Sequence, residues 1–92
     1  MKYPLYCVRD VKVSFFPPQP ATTEEEAIRN FSMMVNNPSG VMGFAPKDFD
    51  LYMVGYFDSV KGTVEACDPI EFVVDGTSCV GDDHEKQKCK SK

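Results

Sequence analysis

The stretch TEEEAIRNFSMMVN, residues 23–36, constrains this chain most, because it is the clearest helix and it stands alone. Ala27, Ile28, Phe31, Met34 and Val35 recur at three- and four-residue spacing, which gathers them on one helical face. Thr23 with Glu26 three residues on reads as a capping box, with Thr22 and Glu25 as the alternative register. Glu24, Glu25 and Glu26 place negative charge at the positive end of the helix dipole. Asn37-Pro38 ends the helix, since a residue before proline avoids helical angles. A single amphipathic helix must lay its stripe on something, so the rest of the chain has to supply a sheet.

Two segments carry the period-two alternation of half-buried strands. In residues 3–16, Leu5 and Cys7 alternate with Tyr6 and Val8, and Val11, Val13 and Phe15 alternate with Lys12 and Ser14. Arg9-Asp10 interrupts the pattern and predicts a bulge or turn. Pro17, Pro18 and Pro20 then end the strand and predict a short polyproline-like link. In DLYMVGYFD, Leu51, Met53 and Phe57 are expected on one face and Tyr52, Val54 and Tyr56 on the other. Asp58 to Gly62 suits a hairpin loop with Gly62 in a left-handed position, and TVEAC returns. Gly55 predicts a bulge or a close contact, and Pro69 is expected to break the return strand. Ile70, Phe72, Val73 and Val74 form a last apolar patch. The expected fold is α+β: one helix packed on a small antiparallel sheet in β-α-β-β order, residues 1–76, followed by a polar, flexible C-terminal tail, residues 77–92.

Ninety-two residues make one domain with a thin core, and seven Phe and four Tyr must be housed in it. A lone helix covers one sheet face. Some rings therefore face outward, which predicts a homo-oligomer, a dimer first, built on sheet or edge contacts. The net charge is −4, and residues 1–76 hold six Lys/Arg against eleven Asp/Glu. Phosphate-backbone binding favours a basic stripe, so single-stranded DNA is a disfavoured partner for this acidic body. The opening MKYPLYCVRD has no apolar core of a signal peptide, and no apolar run is long enough to span a bilayer. The expected compartment is a reducing cytosol, with Cys7, Cys67, Cys79 and Cys89 as free thiols and no membrane partner.

Chemistry-bearing patterns are sparse. Cys79, His84 and Cys89 have C-x4-H-x4-C spacing, but structural zinc sites pair cysteines more closely, so no metal and no cofactor is expected. The lone histidine sits on a polar segment with nothing to position it as a base, and no carboxylate pair shows environments that would split its pKa values. No P-loop or dinucleotide fingerprint occurs, and the chain is read as a binding protein, with no catalytic residue. The stretch Phe15-Phe16-Pro17-Pro18 offers apolar rings beside a stiff link, suited either to docking a partner or to covering the helix. Tyr52 and Tyr56 join these four as candidate partner-binding residues. Thr23, Glu26, Gly55, Phe57, Asp58 and Gly62 are candidate structural motif residues.

The order of landmarks resembles the small nonstructural protein family of gokushoviruses, single-stranded DNA bacteriophages of the Microviridae. The matching features are Tyr6, Val8 and Asp10, then Phe16-Pro17-Pro18, Glu26-Ala27-Ile28-Arg29 and Phe31, Val35-Asn36 and Pro38. Pro46, Asp48-Phe49, Leu51-Tyr52, Gly55-x-Phe57-Asp58, Gly62 and Pro69 follow. The chain departs from that pattern at Arg9 and in its Cys- and Lys-bearing tail. The resemblance implies a phage-encoded protein that acts in the cytoplasm of the infected bacterium and is absent from the mature virion. It also implies an accessory role in late genome replication, at the switch to single-strand synthesis, or in DNA packaging, with phage replication or packaging proteins as partners. Direct single-stranded DNA binding and modulation of a host protein are the alternatives.

Overall fold

A computed structural model describes residues 1–81. Its elements are β1 (Lys2–Asp10), β2 (Gln19–Pro20), α1 (Glu24–Val35), α2 (Val41–Phe44), a 3-10 turn (Pro46–Asp48), β3 (Phe49–Asp58), β4 (Thr63–Asp75) and α3 (Gly76–Cys79). The four strands form one antiparallel sheet in the order β2-β1-β3-β4. The protein is thus α+β, with one main helix on a four-stranded antiparallel sheet.

The capping signals of α1 act as the sequence predicts, with one shift. Thr23 is the N-cap, and its hydroxyl accepts from the Glu26 backbone N–H at 3.1 Å. The Glu26 carboxylate reaches back one residue further than expected and accepts from the Thr22 N–H at 2.6 Å. Such a cap stabilises a helix by about 1 kcal/mol. Ala27, Phe31 and Val35 are buried and meet Tyr6, Leu51 and Met53 of the sheet in the core. Met34, expected on the buried face, is 43% exposed at its margin.

The first strand is shorter than its alternation suggests. β1 ends at Asp10, where the Asp10 carboxylate accepts from Lys12 N–H and the Asp10 N–H donates to the Ser14 carbonyl. The chain turns back there, and Phe15 makes an isolated bridge to Arg9. The interruption expected at Arg9-Asp10 is thus a turn, and a further irregularity of pairing lies between Leu5 and Tyr6. Gln19–Pro20, read as part of a link, forms the short edge strand β2 against Leu5 and Tyr6.

That irregularity changes which side chains share a face. Leu5 pairs with Gly55 but Tyr6 pairs with Met53, so Val54 is one extra residue on β3. Paired residues of an antiparallel ladder point the same way, and one extra residue reverses the alternation beyond it. Leu51 and Met53 face the helix as expected. Past Val54 the expectation is overturned: Tyr56 follows the helix side, and Phe57 follows Tyr52 onto the other face. Gly55 sits at this point, and a Cβ there would run into the Glu65 carbonyl oxygen, so the close approach of β4 requires glycine.

The hairpin loop is as predicted. Asp58 accepts from the Val60 and Lys61 N–H groups, its carbonyl accepts from Gly62 N–H at 2.7 Å, and Gly62 has φ +72°. Pro69 does not end the return strand. β4 continues through it to Asp75, and residues 67–70 bulge out between the pairs Gly55–Ala66 and Met53–Glu71. The fold also extends past residue 76. Gly76–Cys79 forms a helical turn that caps on Asp75, and Cys79 is buried in the core. Residues 77–79, expected in the tail, are thus part of the folded body, held by the Asp75 cap, the buried Cys79 and Asn36. The rest of that tail, with His84 and Cys89, lies outside the described residues.

Candidate partner-binding site

Two apolar surfaces are built on opposite sides of the sheet, and adjacent residues Phe15 and Phe16 divide between them. The Phe16 ring lies 6.3 Å from Phe49, a core residue on the helix side. The Phe15 ring lies 5.6 Å from Tyr52 in an edge-to-face arrangement on the helix-free side. The candidate residues from the sequence thus do not form one patch.

On the helix side, a groove of about 490 Å³ runs between α1 and the Phe16–Ala21 segment. Its floor is Tyr6, Val8 and Leu51, one wall is Ala27, Phe31 and Met34, and the other is Phe16, Pro17 and Pro20. Only Gln19, Asn30 and the Tyr6 phenol bring polar groups to it. Pro17 keeps this wall stiff, and Pro18 beside it is exposed and does not line the groove. Glu24 and Glu25 of the first turn of α1 act on Tyr6. Burial first, and then the Glu24 carboxylate, push the Tyr6 phenol above its ordinary pKa. The groove is therefore apolar within and negative at one end. Met34 and Asn30 were missed as lining residues, because helical periodicity says which face is apolar but not where the covering segment stops.

On the helix-free side, Phe15, Tyr52 and Phe72 form a row of rings, with Tyr52 and Phe72 5.7 Å apart and edge to face. The Arg9 guanidinium lies 5.8 Å from the Phe15 ring centre and donates to the Tyr52 hydroxyl at 3.4 Å. Cys7, paired with Tyr52, is buried among these side chains, and burial raises its thiol pKa. Cys67 touches Met53 on the core side, so Cys7 and Cys67 are separated by the sheet and remain free thiols. Arg9, Asp50 and Asp75 are cross-strand neighbours at one end of this face. Desolvation raises the Asp50 pKa, Arg9 opposes that rise, and Asp75 adds to it. Tyr56, the last candidate, is exposed but leaves this face because of the bulge at Val54. The final apolar patch of the sequence held the missed residue here, Phe72, which is 56% exposed.

Thr23, Glu26, Gly55, Asp58 and Gly62 serve the cap, the close strand contact and the hairpin loop. Among the described residues no group of three or more His, Cys, Asp or Glu side chains could hold a metal ion. No described helix is long and apolar enough to cross a membrane.

The architecture defines a small α+β protein whose sheet is covered, among the described residues, by a helix on one side only. Residues 3–79 match the family model described as Phage ORF5 protein, and the chain belongs to that family. It is a phage protein. No curated protein and no solved structure matches it.

Proposed function

We propose that this phage protein is a nonstructural accessory factor that acts by protein–protein contact in late genome replication, at the switch to single-strand synthesis, or in DNA packaging. The phage group is the gokushoviruses of the Microviridae, and the site of action is the cytoplasm of the infected bacterium. The resemblance of the motif order to that group supports the biological setting. The observation that carries the mode of action is the open groove beside α1. It is large enough for two or three apolar side chains, has one stiff proline-bearing wall, and offers no converging set of polar groups for chemistry among the described residues. A groove of this kind suits an apolar segment of a partner, and the Glu24–Glu26 run at its end suits basic residues flanking that segment.

Affinity capture from infected cells tests this reading. Wild-type protein should retain the phage replication initiator or capsid precursors, and Met34→Asp should lose them while keeping the wild-type circular dichroism spectrum. Recovery of a host protein alone, equally with both, would point to host modulation instead. Purified virions should contain none of the protein by mass spectrometry.

A second reading, direct binding of single-stranded DNA, is favoured by the row Phe15–Tyr52–Phe72 with Arg9 beside it, since bases stack on exposed rings. Salt separates the two. Binding through phosphates must weaken steeply between low and physiological salt. The acidic body predicts little shift with a labelled oligonucleotide at any salt.

A further inference from the structure

We propose that the helix-free face of the sheet is a self-association surface, and that two copies of this chain meet across it face to face as a two-sheet sandwich. The proposal is independent of the groove, which lies on the other side of the sheet.

Register fixes what this face carries. Four cross-strand rows follow one another from one end of β3 and β4 to the other: Asp50 with Asp75, Tyr52 with Phe72, Gly55 with Ala66, and Phe57 with Val64. Leu5, Cys7 and Phe15 fill the β1 side. Leu5 and Cys7 are buried although no described helix lies over them, so the face is already half of a packed layer. Phe72 and Val64 nevertheless remain 56% and 64% exposed.

The rows are self-complementary. Bulky rings stand in one row, and a glycine and an alanine leave a hollow in the next. A twofold axis midway between those two rows sets the rings of each copy over the hollow of the other. Interdigitation of that kind is how facing sheets about 10 Å apart fill their core. The same axis sets the end row of Arg9, Asp50 and Asp75 over the Phe57–Val64 row of the other copy, at the two ends of the contact, where water still reaches the charged groups.

Charge argues for a second copy as the occupant. The chain carries net charge −4, so most pairings of two copies oppose carboxylates. Apart from the end row with Arg9, Asp50 and Asp75, the cross-strand rows of this face carry no charged side chain. Nothing on it would select a basic partner, and nothing repels an identical one.

The area is adequate. Three strands and the Phe15 segment span roughly 15–20 Å across and nine residues span about 30 Å along, which with side-chain relief gives on the order of 600–800 Å² per copy, the standard range for a specific interface.

The alternative of joining sheet edges fits poorly. The outer edge strand β4 contains Pro69, a four-residue bulge and the acids Glu65, Asp68 and Glu71. Those are the features that block edge-to-edge pairing. The opposite edge is occupied by β2 next to Pro17 and Pro18.

Sedimentation equilibrium of the full chain across about 1–200 µM decides the matter, since interfaces of this area reach micromolar or tighter affinity. The wild type is expected to reach twice the chain mass. Phe72→Asp and Val64→Glu should each weaken the dimer at least about tenfold with an unchanged circular dichroism spectrum. Met34→Asp, in the groove, and Glu71→Arg, on the β4 edge, should leave it intact. If Phe72→Asp fails to fold, Val64→Glu decides, because its site is the more exposed. A wild type that stays monomeric throughout overturns the proposal, as does a dimer that is unmoved by Val64→Glu. A dimer taken apart by an oligothymidine at low salt also overturns it, and assigns the face to single-stranded DNA.

Discussion

Asn36 closes α1 and also anchors the chain that follows β4. Its side-chain amide donates to the Ser32 carbonyl at 2.8 Å and to the Cys79 carbonyl at 2.9 Å, and its amide oxygen accepts from Gly81 N–H at 2.8 Å. A part-buried group with three satisfied bonds is costly to remove, because the carbonyls and the N–H it served lose their partners. Asn36→Ala should destabilise the protein by about 1–3 kcal/mol in urea unfolding. It should also speed hydrogen exchange at Gly81, while Asn36→Asp restores only the acceptor side. The helical turn Gly76–Cys79 was not legible in the sequence for the same reason. Its own residues, Gly-Thr-Ser-Cys, favour no helix, and the contact that orders them comes from a residue 43 positions earlier in the chain.

At the level of elements, signals contained within a few residues were readable and signals that depend on pairing were not. The Thr23 cap, the helical face through Phe31 and Val35, and the Asp58–Gly62 loop each follow from neighbours in sequence. The continuation of β4 past Pro69 and the face taken by Tyr56 and Phe57 are set by register between strands; Gly55 marks a bulge or close contact locally, but not which residues it turns over. The two aspartates that close the loop and the β4 end give a pH test. Backbone N–H groups of Lys61 and Val60 hold the Asp58 carboxyl below the ordinary carboxylate range, and Ser78 does the same for Asp75. A depressed folded-state pKa contributes stability above the unfolded-state value, and that contribution is lost as pH falls through the folded-state value. Stability should therefore decline below about pH 4. The double variant Asp58→Asn, Asp75→Asn should be less stable at pH 7 and flatter in acid, as read by thermal melts across pH. Asp50, raised by desolvation, acts in the opposite sense, since its ionised form is the one that folding disfavours.

For the molecule as a whole, a single thin core serves two surfaces. Phe31 is wholly buried between helix and sheet, and its ring backs directly onto the groove. Phe31→Leu should cost stability by about 1–2 kcal/mol, within the span measured for core changes. It should also deepen the groove, so partner capture changes with little effect on the helix-free face. That face, in turn, should respond to Phe72 and Val64 and not to Phe31. The two-sided character was partly legible: an excess of rings over one helix's covering capacity implied an open face. Which ring went to which side was not, because Phe15 and Phe16 are consecutive and only the turn at Asp10–Ser14 decides their directions.

Val54 acts as a parity element. With it present, the tip of the hairpin from Gly55 onward is turned over relative to the base of β3. A regular strand of the same letters would put Tyr56 beside Tyr52 and Phe57 beside Met53, and deleting Val54 would remove the bulge while leaving Tyr56 and Phe57 on the sides they now take. Substitutions at Val54 should likewise leave those sides unchanged, because it is the presence of an extra residue, whatever its identity, that offsets the alternation.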